Sequence, residues 1–384
     1  SCAREIRAGP FFALPGLVPE PAASFTPPHC PNPACSFHCD PQGWRFKKDG
    51  HHLRAFEPRR IQRYRCSHCH RSFSSQTFST TYWLKRPDLL EPVLHGLLSC
   101  SAYRQIARAQ SVSPSTVALQ ANRLGRHMLL FHEQRRPKGD PEEPLVLDGF
   151  ESFELSQYWI THLNNVIGAE SHFVYATTVA ELRRKGRMTP KQKRRRSELE
   201  ALYGRPDPRA IEKSVAEALT LVVPPGAPEV RLRSDDHRAY PRALRRLSPE
   251  RRFRHEVTSS EAPRTTSNPL FPANLLHLLY RHGGSNHKRE TIAFSKRNHA
   301  MLMREAVTRG WRNWVKHRSE RRRRGTPAMA LGLATRPLTW TEILAERIFV
   351  TRTKLPAPLD RYYFGKVPTR QLPGAREHRL RYAV

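Results

Sequence analysis

Residues 144–151 read Pro144-Leu145-Val146-Leu147-Asp148-Gly149-Phe150-Glu151. Three large apolar residues between a proline and an Asp-Gly pair predict a short buried strand that stops at a carboxylate. Outward from it, Tyr158 to Ile167 and Ser171 to Val179 predict two more strands. Ala210 to Leu221 has helical period, with Ile211, Val215, Ala218 and Leu219 on one side. Glu229 to Arg233 alternates and predicts a strand ending at Ser234-Asp235. A short helix at Tyr240–Leu247, a strand at Phe253–Val257 and helices at Ala273–Tyr280 and Lys296–Lys316 follow.

Three strands, a helix, a strand, a short helix, a strand and a helix is the order of an RNase H-like sheet. In that sheet the first and fourth strands lie side by side. Asp148 and Asp235, 87 residues apart in sequence, are then expected to converge. Each alone reads equally well as a turn residue. Together, paired carboxylates can hold divalent ions. Two such ions can activate one oxygen and stabilise another at a phosphodiester. Asp236, next door, competes for the second position.

Upstream, Cys30-Pro-Asn-Pro-Ala-Cys35 precedes Cys66-Ser-His-Cys69. Two close cysteine pairs supply four thiolates for one tetrahedral structural Zn²⁺, whose binding would contribute directly to folding a segment with little core. Cys30, Cys35, Cys66 and Cys69 are the expected ligands, with Cys39 the rival and Tyr64 and Phe73 packing beneath. Cys2 and Cys100 are expected to be unpaired, Cys100 in helix core.

Residues 101–126 carry a helix-turn-helix pattern. Ile106 and Ala107 belong to the apolar side of a first helix, and Val112 fills the turn. Ser113 caps a second helix with Pro114 at its first position. Val117 and Leu124 form the inner face; Ser115, Thr116, Gln120 and Arg123 are expected outside, with Arg104 and Gln105 on the first helix. A recognition helix offers such residues to a major groove. The competing reading is an ordinary helical hairpin.

The 384 residues carry 66 Lys+Arg against 34 Asp+Glu, a net charge of +32. That balance argues against a small-metabolite enzyme and points to a polyanion, double-stranded DNA first. No apolar run is long enough for a membrane span, and the stretch broken by Pro10 and Pro15 predicts no signal peptide. Seven sparse cysteines suit a reducing, cytoplasmic setting. The basic runs 183–185, 191–196 and 321–324 each read as a solvated face and jointly as a phosphate-contacting surface. Trp311 and Trp314 read as helix-packing residues.

CPNPAC, QRYRCSHCHRSFSSQTF, DGFESFE, SDDHRAYPRAL, SSEAPRTTSNPLFPANLLHLLYRH and NHKRETIAFSKR run from Cys30 to Arg297. In these stretches the chain resembles bacterial insertion-sequence transposases of the DDE type. The relevant group has a zinc module and helix-turn-helix ahead of an RNase H-like catalytic domain. The resemblance implies an α+β multidomain protein. Its segments would be a Pro-rich lead-in (1–28), zinc-binding module (29–80), helix-turn-helix domain (81–134) and linker (135–144). An α/β catalytic domain with a mixed sheet (145–317) and basic insertion (181–209), then a basic tail (318–384), complete it; within the tail, Trp340 to Ile348 predicts one helix. It implies strand cleavage and strand transfer at element ends with Mg²⁺ or Mn²⁺, in a bacterial, nucleoid-associated protein that self-associates as a homo-oligomer. Asp148 matches the first acid and Asp235 the second. The third position, where an acid or Asn is expected, aligns with His277; Asn268, Asn274 and Glu290 are its rivals, and a decayed copy that only binds DNA is the other explanation. Imidazole is a poor Mg²⁺ ligand and suits Mn²⁺ better. Lys288, Arg289 and Lys296, with His287, are the expected phosphate clamps.

Overall fold

A computed structural model describes residues 25–374 and 377–379; Cys2 and the segment before Phe25 lie outside them. The chain opens with a small antiparallel sheet of β1 (Phe46–Leu53), β2 (Arg60–Cys66) and β3 (Ser72–Ser74), in that order. Three helices follow: α1 (Leu90–Leu98), α2 (Tyr103–Ala109) and α3 (Pro114–Arg135). α3 starts where its sequence asks. The Ser113 hydroxyl accepts from the Thr116 N–H at 3.2 Å, and Pro114 occupies the first turn.

A five-stranded sheet then forms from β4 (Leu145–Glu154), β5 (Ser156–Gly168) and β6 (Val174–Arg183), with β7 (Val230–Ser234) and β8 (Phe253–Val257). Between β6 and β7 come α4 (Pro190–Tyr203) and α5 (Ala210–Val222). α6 (Ala239–Leu244) precedes β8, and α7 (Phe271–Gly283) and α8 (Asn298–Gly310) follow it. The strand order is β6-β5-β4-β7-β8. β4, β5 and β6 are antiparallel neighbours, whereas β4, β7 and β8 run parallel. The first and fourth strands of this sheet therefore do lie side by side. The architecture is α+β with a mixed sheet.

Both faces of the sheet are covered, and adjacent residues of β5 show how. Asn164 donates to Ser214 of α5 at 2.9 Å. Asn165, pointing the opposite way, accepts from Tyr280 of α7 at 3.1 Å and from Thr177 at 2.9 Å. α3 lies against α8 so closely that a Cβ on Gly125 would fall 2.5 Å from Cβ of Met303. One apolar core runs from Leu89 through the sheet to Tyr363. Trp314 is fully buried in it and Trp311 packs against it, as their spacing predicts.

The segment beyond residue 318 is more than a basic tail. It forms α9 (Pro327–Ala330), α10 (Trp340–Ala345) and α11 (Leu359–Tyr363). Ile343, Leu344, Tyr362 and Tyr363 join the main core, while Phe349 packs with the four-cysteine segment. Cys100 sits past the end of α1 in a left-handed conformation (φ 58°), half-buried, and not inside helix core. No helix among the described residues is long and apolar enough to cross a membrane.

Candidate metal centre and candidate active site

The Sγ atoms of Cys30, Cys35, Cys66 and Cys69 all lie within 4.8 Å of one another, and Cys30 and Cys69 are 3.7 Å apart. A tetrahedral Zn²⁺ with bonds of about 2.3 Å spaces its sulfurs about 3.8 Å apart. Cys39 is exposed and outside the group, which decides between the rivals. Tyr64 and Phe73 stack beneath at 5.6 Å, and Trp44 closes the side. Burial pushes the Cys30 thiol up. Burial acts on Cys66 in the same direction. The Trp44 indole N–H (3.3 Å) and the backbone N–H groups of Cys69 and His68 outweigh it and bring Cys66 down to about 7. Four clustered thiols, one poised to ionise, suit a structural zinc ion.

The second candidate site grows out of strand register. β4 and β7 pair as Leu145↔Leu232, Val146↔Arg233 and Leu147↔Ser234. Asp148 and Asp235 are each one residue further; β7 ends there as expected, but β4 does not stop at Asp148 and continues to Glu154, because residues beyond the β7 pairing still pair with β5. Asp148 accepts from the Gly149 N–H at 2.7 Å, and Asp235 from the His237 N–H at 3.0 Å. Burial, then the negative charge of Asp235, raises Asp148 to about 7. Asp236 turns away: its carboxylate accepts from the backbone N–H and hydroxyl of Ser260 at 3.3 and 3.2 Å.

His277, on α7, brings Nδ1 to 3.6 Å from the Asp148 carboxylate. This approach is not an ion pair. Burial, helped by positive charge from His162, Arg281 and Arg264, lowers His277 to about 3, so its ring is neutral. Its Nε2 is buried with no hydrogen-bond partner. Among its rivals, Asn268 is held locally by Pro263 O and Leu270 N, both at 2.8 Å. Asn274 lies one turn before His277 on α7, and Glu290 is exposed. Among the described residues, only the four cysteines gather three or more Cys, His or acidic ligand atoms within 4.8 Å of one another. Asp148, Asp235 and His277 do not meet that closely.

Three neighbours of the acids have no signal in the sequence pattern. A Cβ on Gly149 would fall 1.8 Å from the His162 ring, so glycine is required beside Asp148. His162 Nδ1 pairs with Asn164 Oδ1 at 2.8 Å, and burial lowers this ring to about 4. Tyr240 is buried, its hydroxyl pushed up by burial and by both aspartates. Arg264, exposed, pulls Asp148 the other way.

The expected DNA-contacting residues divide. Arg104, Gln105, Ser115, Lys288, Arg289 and Lys296 are exposed and Thr116 is half-buried. Gln120 and Arg123 are not outward-facing, contrary to the sequence expectation: they are 4% and 7% exposed. The Arg123 guanidinium donates to the carbonyls of Thr80 and Tyr82 at 2.8 and 2.9 Å, and Gln120 to that of Arg86 at 3.4 Å. The segment before α1 covers that side, and Leu119, 60% exposed, faces out instead. His287 is also buried, its Nδ1 3.0 Å from the Ser152 hydroxyl, which removes it as a phosphate clamp.

No family model matches the chain, and no curated protein does. Among solved structures, it is similar to a chain of the simian T-cell lymphotropic virus intasome in complex with PP2A regulatory subunit B56 gamma. The identity is 14%, the TM-score 0.20, and the match covers 65% of this chain and 74% of that one.

Proposed function

We propose that the chain is a DDE-type DNA transposase with an RNase H-like catalytic domain, cleaving DNA strands at element ends and transferring them to a target. The observation that carries this reading is the register of β4 with β7. It sets Asp148 and Asp235 one residue beyond the Leu147↔Ser234 pair. Burial first, and then repulsion between two carboxylates on adjacent parallel strands, raises Asp148. A divalent cation relieves the repulsion. When bound, Mg²⁺ or Mn²⁺ supplies activation of the attacking oxygen and stabilisation of the leaving one. Asp148 and Asp235 would hold the ion. His277, neutral and with a free Nε2, is a nitrogen donor suited to Mn²⁺ over Mg²⁺. Arg264 is a cation for the scissile phosphate. Zinc at the four cysteines folds the first module, and the exposed Arg104, Gln105 and Ser115 with the half-buried Thr116 of α2 and α3 meet the duplex, with Lys288, Arg289 and Lys296 on its phosphates. Self-association on paired ends belongs to the same proposal.

A strand-cleavage assay on duplexes bearing the element's terminal repeats, with Mg²⁺ and with Mn²⁺, tests it. Cleavage by the native chain that disappears in Asp148→Asn and Asp235→Asn supports it. Equal cleavage by those variants would sink it. A second reading, a DNA-binding relative without strand cleavage, is favoured by the third position alone, where no carboxylate stands. Sequence-selective binding with no cleavage under either ion would decide for it.

A further inference from the structure

The insertion between β6 and α5 is absorbed by neither the zinc module, the helix-turn-helix nor the acids. Its helix α4 is bounded by a full capping box: the Thr189 hydroxyl accepts from Gln192 N at 3.2 Å and the Gln192 side chain from Thr189 N at 3.0 Å. Only Leu199 of its fourteen residues is buried. A helix that is polar nearly all round lacks the apolar stripe that normally holds one to a protein. One side is nevertheless tied down by charge. Glu200 takes a two-pronged hydrogen bond from Arg183 (2.7 and 3.0 Å), and Arg196 lies 3.5 Å from it. Arg196 also donates to Arg184 O at 2.9 Å, and Arg370 to Tyr203 O at 3.1 Å. Arg195 pairs with Glu198 at 2.9 Å.

The remaining cations are left over. Lys191, Lys193 and Arg194, with Lys185 and Arg187 on the approach, are exposed and have no acidic partner among the described residues. Their place in the fold matters more than their number. β6 runs parallel to β4 and β7, so α4 leaves the sheet at the end where Asp235 follows β7. The loop carrying Lys288, Arg289 and Lys296 is stitched to that same end. Leu155 N donates to Ser295 O at 2.7 Å, and Asn298 Nδ2 to Glu181 on β6 at 3.2 Å. Glu290 is the one acid on that loop.

We propose that α4 is a second duplex-DNA contact. It would grip phosphates of the DNA flanking the reacting site, along a basic track from the 288–296 loop past the carboxyl end of β6 to Lys191, Lys193 and Arg194. The inference takes from the preceding reading only that the polyanion is double-stranded DNA. The helix is built so that its inner charges are neutralised within the protein and its outer ones are left for a partner.

The test uses the full-length, zinc-loaded chain and a 40-bp duplex of arbitrary sequence, with affinity read by fluorescence anisotropy between 50 and 200 mM salt. The Lys191→Glu/Lys193→Glu/Arg194→Glu variant is expected to bind at least tenfold more weakly at 100 mM. Its log–log salt slope should be shallower by about 2–3, near 0.9 for each phosphate no longer neutralised. The milder Lys191→Gln/Lys193→Gln/Arg194→Gln variant should fall between. Circular dichroism should be unchanged, since Leu199 and Glu200 are untouched. An unchanged slope with helicity retained overturns the proposal, and so does a preference for double-stranded RNA of equal length. Strand cleavage is scored separately. Absent cleavage with the slope change present sinks the transposase reading and leaves this one standing; the converse does the opposite.

Discussion

The four-cysteine centre and the aspartate pair are both assembled from segments remote in sequence, but to different degrees. The thiols are drawn together to within 4.8 Å inside a shell of Trp44, Tyr64 and Phe73. The aspartates are brought to matching positions on neighbouring strands without closing a three-ligand set. Neutral thiols tolerate one another, so aromatic packing can gather them. Two carboxylates do not, and burial raises the cost, as the elevated Asp148 records.

That contrast can be broken in order of expected effect. Chelation, or Cys66→Ser, should unfold the first module outright, since structural zinc contributes on the order of 10 kcal/mol to such segments. Loss of one zinc equivalent together with near-ultraviolet dichroism would record it; a module that keeps its signal without metal would end the comparison. On the acidic side, Asp235→Asn should lower metal-dependent cleavage by about a thousandfold or more while leaving the zinc content intact. His277→Glu sharpens the difference further. A hard oxygen in place of imidazole should move the preference from Mn²⁺ toward Mg²⁺ by about tenfold, read as the ratio of cleavage rates with the two ions.

Smaller effects fall on stability. The folded Asp148 titrates near 7, above its ordinary value of 3.8. A carboxyl raised in this way is best tolerated when protonated. In metal-free protein the Asp148 contribution to stability should therefore be fully present below about pH 4, fall as pH rises toward 7 and level off above it, a loss on the order of a few kcal/mol. Asp148→Asn should flatten that dependence and melt higher at pH 7.5; denaturant melts across pH 4–8 check it. Arg123→Ala should cost about 2–3 kcal/mol by leaving the Thr80 and Tyr82 carbonyls unpaired. It should not change which DNA sequence is preferred. A changed preference would restore this residue to the groove.

Arg123 and its neighbour Gln120 also mark what could be read from the sequence. The strands around Leu145–Leu147 and Val230–Arg233 were legible because apolar runs and alternation are local signals. Cys30, Cys35, Cys66 and Cys69 were legible because metal geometry constrains spacing. Helical period offered Gln120 and Arg123 to solvent, but burial there is decided by residues 80–86, some forty positions away. His162 was hidden for a related reason: a histidine in a strand has no pattern of its own, and its role depends on Gly149 across the ladder. The C-terminal segment was legible in part: the expected helix from Trp340 is there as α10, but the surrounding arginines conceal how Ile343, Leu344, Tyr362 and Tyr363 pack into the main core.

Mn²⁺ binding to the zinc-loaded chain, followed by electron paramagnetic resonance, tests the central pairing most directly. Native protein should bind Mn²⁺ at neutral pH, and Asp148→Asn and Asp235→Asn should each abolish it while retaining one zinc. Mn²⁺ bound equally well by both variants would mean that the two aspartates do not share a cation.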